Sequence, residues 1–231
     1  MTTWSIFATI KNRPCGQYLF YGEKRMKREE KKLLSKQKIM DAAIQEFGEK
    51  SYGEASLNTI CDTGNLSKGI IYHYFTDKDE LYLACVKECF DKLTSFLNRD
   101  DYDFTNFQRG INKYLAARYQ FFRQYPHYSH LFFSTFLQPP THLIKQIKEL
   151  RNDFDVQNTR YYETALSHIT LREDITKEEA MEYFFIFQEM FNGYFQSKAY
   201  ENTDFNSLIK DHEMKLSKLL NMMLYGIAKE D

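Results

Sequence analysis

Only nine glycines and four prolines punctuate 231 residues. So few turn-making positions leave long stretches that nothing breaks, which favours a chain of helices joined by short connections. A hydrophobic fraction of 43% with 17 Tyr and 20 Phe supplies ample material for a packed core and argues against a disordered or fibrous chain. The length suits a small domain followed by a larger one.

The net charge of -1 conceals an asymmetry. Residues 1–78 carry 13 Lys/Arg against 9 Asp/Glu, whereas residues 79–231 carry 18 against 23. A basic head on an acidic body suits a head that meets a polyanion, although ordinary scatter gives the same imbalance. The four cysteines, Cys15, Cys61, Cys85 and Cys89, are too few for a disulfide framework and read as small buried side chains in a cytoplasmic protein. No apolar run approaches the ~18 residues of a membrane span, and Trp4–Ile10 lacks the flanks of a signal peptide. We therefore expect a cytoplasmic protein with no membrane partner.

Residues 1–25 show no helical periodicity and end in Gly22-Glu23-Lys24-Arg25 before Met26. That tetrapeptide can be encoded by a purine-rich, ribosome-binding stretch, so translation is expected to start at Met26, with 1–25 a mis-assigned extension. The alternative is a disordered basic arm, with Lys24, Arg25, Lys27, Arg28, Lys31, Lys32, Lys36 and Lys38 along DNA phosphates.

From Lys36 the pattern becomes helical. Ile39, Ala42, Ala43 and Phe47 form one apolar stripe, and Ser51-Tyr52-Gly53-Glu54 breaks it. Ser56 is placed to cap a short helix facing inward through Leu57 and Ile60. Gly64-Asn65 supplies a turn, both residues tolerating positive φ. Ser67 caps a third helix, Lys68 to about Phe75, anchored by Ile71 and Phe75. Asp77, with Glu80 three residues on, starts the next in the manner of a capping box. A long helix propping two short ones joined by a glycine turn is a helix-turn-helix arrangement. Its second short helix offers Ser67, Lys68, Gly69, Ile70, Tyr72, His73 and Tyr74 outward. Lys68 could donate to guanine, Ile70 could meet a thymine methyl, and Gly69 allows close backbone approach. Tyr72, His73 and Lys78 are suited to phosphates. A three-helix bundle without a DNA role remains the alternative, but it has no need of these outward groups on a short helix in a basic segment.

The run from Ser67 to Leu81, SKGIIYHYFTDKDEL, resembles the recognition helix and following helix start of TetR/AcrR-family transcriptional regulators. Ile39–Gly48 is similar to the family's first helix and Ser56–Ile60 to the start of its second, the likeness covering about residues 36–90. The resemblance implies DNA contacts from Ser56, Asn58, Lys68, Gly69, Ile70, Tyr72, His73, Tyr74 and Lys78. Cys61 stands where the family usually has Ala, and Ile70 where relatives often have a small polar residue, which bears on base preference.

The resulting expectation is an all-α chain of about nine helices. A helix-turn-helix DNA-binding domain (26–78) precedes a larger helical ligand-binding and dimerisation domain (79–231). Body helices are expected near 78–99, 104–124, 127–137, 141–169, 176–200 and 204–228. Thr176-Lys177-Glu178-Glu179 opens the fifth with a capping box. The fifth helix is apolar nearly all round and the last carries a continuous apolar stripe, so a partner chain is expected to cover what the monomer does not. The family dimerises through its last two helices, which implies a homodimer on a palindromic, double-stranded DNA operator.

The body's aromatics are expected to be mostly core. A subset is placed to line a pocket for a small apolar or aromatic effector: Tyr114, Phe122, Tyr125, Phe133, Tyr162, Phe184 and Phe191, with Arg118 and Gln188 orienting the ligand. His127, His130 and His142, like Cys85 and Cys89, lack ligand spacing, so no metal and no cofactor are expected. No phosphate loop, carboxylate pair or nucleophile–base arrangement points to an enzyme. A helical interaction or small-molecule-binding module without DNA readout is the alternative function.

Overall fold

The computed structural model describes residues 16–98, 102–201 and 204–227, with side chains from Glu29 onward except those of Phe107, Tyr225 and Ile227. Residues 1–15 of the expected extension and the side chains of Lys24, Arg25, Lys27 and Arg28 lie outside the described residues, as does the end of the last helix at Ala228. The chain divides into two compact units, residues 1–38 and 39–231.

Ten α-helices are present among the described residues: α1 (Gly16–Glu49), α2 (Leu57–Gly64), α3 (Lys68–Tyr74), α4 (Lys78–Leu97), α5 (Phe107–Gln124), α6 (Pro126–Leu137), α7 (Ile144–Leu150), α8 (Asn152–Leu166), α9 (Lys177–Ala199) and α10 (Phe205–Ile227). A single 3₁₀ turn, Thr141–Leu143, precedes α7. The fold is all-α, with a small N-terminal helix-turn-helix and a larger helical body. None of the described helices is long and apolar enough to cross a membrane.

The helix of the first unit begins at Gly16 and not near Lys36. Residues 17–38 contain no Pro and one Gly, and are rich in Glu, Lys, Leu and Gln. These strong helix formers carry a helix through a segment that has no apolar periodicity.

In the second unit, Ile39, Ala42, Ala43 and Phe47 are all buried, as their spacing predicts, and Met40 and Ile44 join them. Gly48 explains how the end of α1 is covered on a second side: a Cβ there would meet the backbone of His127, at the start of α6, at 2.6 Å. Glu46 is buried against the start of α2, where its Oε1 accepts from the Ser56 backbone N–H at 2.8 Å and from Lys50 Nζ at 2.9 Å. The turn after α2 divides its labour differently from the sequence reading. Asn65 alone takes the left-handed conformation, φ 49° and ψ 53°. Gly64 is the last helical residue, and a Cβ on it would press on Leu66 Cδ1 at 2.6 Å.

Four helix starts follow their local sequence. Ser67 Oγ accepts from Ile70 N, Asp77 Oδ1 from Glu80 N, Asn106 Oδ1 from Arg109 N, and Thr176 with Glu179 completes a full capping box. At α4 the Glu80 carboxylate reaches past Asp77 to the Thr76 backbone N–H and hydroxyl, at 2.6 and 2.8 Å. The box expected there is thus displaced by one residue.

In the body, α4 packs against α5, α6, α7 and α8, while α9 lies between α6 and α10. The single helix expected over 141–169 is broken at Arg151, which has φ -88° and ψ -2°. The break lets both Ile147 on α7 and Phe154 on α8 reach the core, where each is 3% exposed. No Gly or Pro marks it, so packing against α4 and α5 decides it over propensity.

Candidate DNA-reading face and ligand cavity

The head presents a short helix whose two sides have opposite roles. On α3, Ile71 and the following Phe75 are buried, whereas Lys68, Gly69, Ile70, Tyr72 and His73 are exposed. Tyr74 is half-buried and sits edge-on to His73 at 5.1 Å. Seven residues give barely two turns, so nearly every outward group lies close to the helix N-terminus, where backbone N–H groups favour anions. Ser67 is exposed while its oxygen caps the helix. Ser56 caps α2 through the Asn58 N–H at 3.2 Å, and the Asn58 side chain is exposed beside it. A Cβ on Gly69 would find only Ser67 Oγ, at 3.9 Å. Packing thus places no demand on this glycine, and its backbone is open to a close-approaching partner.

Lys78 stands apart from this group. Its Nζ donates to the Tyr52 carbonyl, and its ammonium lies 4.4 Å from the centre of the Tyr52 ring. Burial there pushes its pKa down, against the opposing pull of Asp79 and Glu46. In this arrangement the lysine ties the α1–α2 connection to the start of α4.

Sequence reasoning missed the junction around Lys78. The Tyr52 hydroxyl donates to Asp79 Oδ1, and His142 Nε2, from the 3₁₀ turn, lies 3.1 Å from Asp79 Oδ2. The hydrogen bond from Tyr52 is the main influence holding the Asp79 carboxyl below the usual range, with His142 adding to it against the cost of burial. The Tyr52 ring also meets His142 and Tyr82 edge-on, at 5.6 and 5.0 Å. Three segments 27 and 63 positions apart along the chain thus converge on one carboxylate, and no local pattern announces it.

The body encloses a cavity of about 230 Å³ among α5, α6, α8, α9 and α10. Of the nine residues anticipated for it, Tyr114, Arg118, Phe133, Tyr162, Phe184, Gln188 and Phe191 line it. Phe122 and Tyr125 do not. Phe122 is buried against Phe132 and Phe133, 5.0 and 5.2 Å between ring centres. Tyr125, where α5 ends, packs on Phe121 at 5.0 Å under the Lys92 ammonium. Phe122 is core and Tyr125 is half-buried against it, because α5 turns that face toward α4 and α6 and away from α9.

The cavity has a polar pole. Arg118 Nη2 donates to Glu213 Oε1 at 2.8 Å, with the two side chains 11% and 7% exposed. His212 Nδ1 lies 3.2 Å from the same oxygen, and its ring is boxed by the edges of Phe133, Phe191 and Phe195. Burial lowers the His212 pKa despite the Glu213 hydrogen bond, which favours the neutral imidazole. Burial opposes ionisation of Glu213 as well, yet the Arg118 charge and the His212 hydrogen bond together hold its carboxyl below the usual range. A second pair, Arg151 Nε to Asp155 Oδ2 at 2.9 Å, stands at the other wall, with Arg151 stacked 4.7 Å from the Phe136 ring. No group of three or more His, Cys, Asp or Glu suited to a metal occurs among the described residues.

Outside the cavity, α9 exposes Tyr183, Ile186, Met190 and Tyr194, and α10 exposes Met214 and Met222, while Phe185, also exposed, stands at the cavity's edge. Large apolar side chains at this density on two adjacent helices are uncommon on the surface of a monomer.

Comparison with known proteins bears on both regions. The family model for bacterial regulatory proteins of the tetR family matches residues 39–85. The biofilm operon icaADBC HTH-type negative transcriptional regulator IcaR of Staphylococcus epidermidis is 38% identical over 68 residues, 29% of this chain and 37% of that protein. Its counterpart in Staphylococcus aureus strain Newman is 35% identical over 86 residues, 37% and 42% respectively. The chain therefore matches well under half the length of these curated relatives. Over most of the chain the likeness is one of fold. A TetR-family regulator from Chloroflexus aurantiacus gives a TM-score of 0.54 at 16% identity, covering 85% of this chain and 94% of its own. A putative tetR-family regulator from Shewanella sp. PV-4 gives 0.56 at 15%, covering 85% and 99%.

Proposed function

We propose that this chain, whose residues 39–85 match the model for bacterial regulatory proteins of the tetR family, is a ligand-responsive transcriptional repressor of that family, binding a palindromic operator as a homodimer. The observation that carries the proposal is the division of α3. Ile71 and Phe75 pin it to the head, while Lys68, Ile70, Tyr72 and His73 stand in solvent on a helix too short to serve as a packing element. An α-helix of this kind fits a major groove, where Lys68 reaches guanine acceptors and Ile70 a thymine methyl, while Tyr72 and His73 fix register on phosphates. The name of the staphylococcal relatives, a negative regulator, favours repression over activation.

Two-fold pairing through the exposed apolar faces of α9 and α10 sets two heads about one helical turn of DNA apart. Domain assignment follows the same logic: residues 26–78 read DNA, and residues 79–231 sense the effector and dimerise. A small apolar or aromatic effector occupies the cavity, and no chemistry is performed on it. The junction at Asp79 supplies the coupling. His142 at one end of the 3₁₀–α7 segment touches Asp79 at the start of α4, and Arg151 at the other end lines the cavity. An effector that favours a different placement of Arg151 shifts the His142–Asp79 contact and with it the seat of α4. It biases the equilibrium only by its differential affinity for the two arrangements.

Selection of bound duplexes from a random DNA pool tests this reading, with a Lys68→Ala/Tyr72→Ala variant alongside. Both substitutions lie on exposed positions, so the variant stays folded. Enrichment of a palindrome by the wild type alone supports it. Absence of enrichment at low salt overturns it in favour of a helical interaction or binding module without DNA readout.

A further inference from the structure

We infer that the effector of this cavity is an uncharged aromatic molecule bearing a hydrogen-bond acceptor of the carbonyl type. The inference rests on reading the body as an effector site and adds the chemical class.

An arginine on the wall of an apolar pocket suggests at first an anionic ligand. The charge balance argues otherwise. Arg118 is already engaged by Glu213 at 2.8 Å, both side chains being almost wholly buried. Arg151 is engaged by Asp155 at 2.9 Å. His212, packed among three phenylalanine edges, is held neutral by burial. The formal charges at the wall thus cancel in pairs, and the remaining carboxylate, Glu189, is exposed. A ligand carboxylate or ammonium would bring an uncompensated charge out of water into this setting, at a cost that apolar contact does not repay.

Arg118 lines the cavity, and its Nε–H is shielded from solvent with no hydrogen-bond partner in the protein, so an acceptor on an occupant engages it through a small turn of the guanidinium. A buried charged donor left unmade is costly, so an occupant that supplies an acceptor gains more than one that supplies only surface. The walls call for a ring system. Tyr162 and Phe184 stack in parallel, 3.8 Å between centres and 8° between planes, and Phe191 and Phe187 lie 22° from parallel. These rings line the cavity while stacked on one another, so a planar partner meets their free faces and edges, by offset stacking or edge-to-face contact.

The test measures calorimetric binding of four probes to the full chain: fluorenone, fluorene, fluorenone carboxylate and N-methylacridinium. Fluorenone is expected to bind at least about tenfold tighter than fluorene and tighter than either ion. Arg118→Lys, which keeps a cation beside Glu213 and loses the Nε–H, should erase the fluorenone–fluorene difference while fluorene still binds. Arg118→Met/Glu213→Gln, neutral at both positions, should do the same and guards against a variant that fails to fold. Preference for the carboxylate or the cation overturns the inference, as does a fluorenone advantage that survives both variants. Loss of all four probes with operator binding intact also overturns it, and leaves DNA reading standing. Fluorenone binding as predicted in a chain that enriches no DNA supports it and sinks the repressor reading instead.

Discussion

The head and the body are built by different kinds of interaction. In the head, each short helix starts where a neighbouring side chain caps it, Ser56 for α2 and Ser67 for α3, and Asp77 likewise starts α4 where the head ends. The partners are two or three residues apart. In the body, the features that matter join residues far apart in the chain: Arg118 with Glu213 across 95 positions, Tyr114 with Asn158 across 44. A surface that must meet a partner of fixed geometry is set by local rules that tolerate little drift. A cavity is set by where whole helices come to rest, which leaves its shape free to vary while the head stays the same. The comparisons are uneven in the same sense: the family model matches residues 39–85, in and just beyond the head, whereas a likeness of fold alone extends over 85% of the chain.

Four perturbations would break or sharpen this contrast. The largest effect is expected from Ile186→Lys/Met190→Lys on the exposed face of α9. The variant should sediment as a monomer and lose at least about a thousandfold in operator affinity, the span between specific and non-specific binding; unchanged affinity would mean that the body does not pair the heads. Next, Glu213→Ala strands the Arg118 charge inside the body and should cost about 3–5 kcal/mol in urea unfolding. Most of that loss should be recovered in Arg118→Met/Glu213→Gln, because removing both partners leaves no unpaired charge. Third, Ser67→Ala should cost only about 1 kcal/mol in the same assay, the ordinary loss of an N-cap. A cost as large as that of Glu213→Ala would show that the head too depends on long-range support.

The smallest effect concerns pH. Burial lowers the pKa of both His130 and His212 from the usual 6.5. The folded chain therefore binds fewer protons than the unfolded chain as pH falls through that value. Stability is fully present above about pH 6.5 and declines below it as the unfolded state takes up protons. His212→Asn should flatten part of that decline in a series of denaturation midpoints; a profile as steep as the wild type's would remove His212 from the account.

Local determination also explains what could be read from sequence. Ser67, Thr176 and the apolar stripe of α1 are short-range patterns: the helices that Ser67 and Thr176 cap start where they should, and the stripe is buried, although α1 begins at Gly16 and not near Lys36. Seven of the anticipated pocket residues do line one cavity because they lie on inward faces of helices that pack together. Phe122 and Tyr125 share the character of those seven and differ only in which helix they face, which periodicity cannot reveal. Glu213 was invisible for the same reason: beside Asp211 and Lys215 on α10 it looks like part of a solvated charged face. His142 reads as an isolated surface histidine until the 3₁₀ turn brings it to Asp79. The break at Arg151 carries no Gly or Pro to mark it, and helix-forming residues continue on both sides.

The central claim, that exposed groups on α3 read DNA, is tested most directly by measuring operator affinity against salt concentration for the wild type, Lys68→Ala and Tyr72→Ala. The account predicts affinity that falls steeply with salt for the wild type, a salt slope reduced by about one for Lys68→Ala if it meets a phosphate, and relaxed base preference at an unchanged slope if it meets guanine. Salt-independent association, or affinity and selectivity unaltered in both variants, would contradict it.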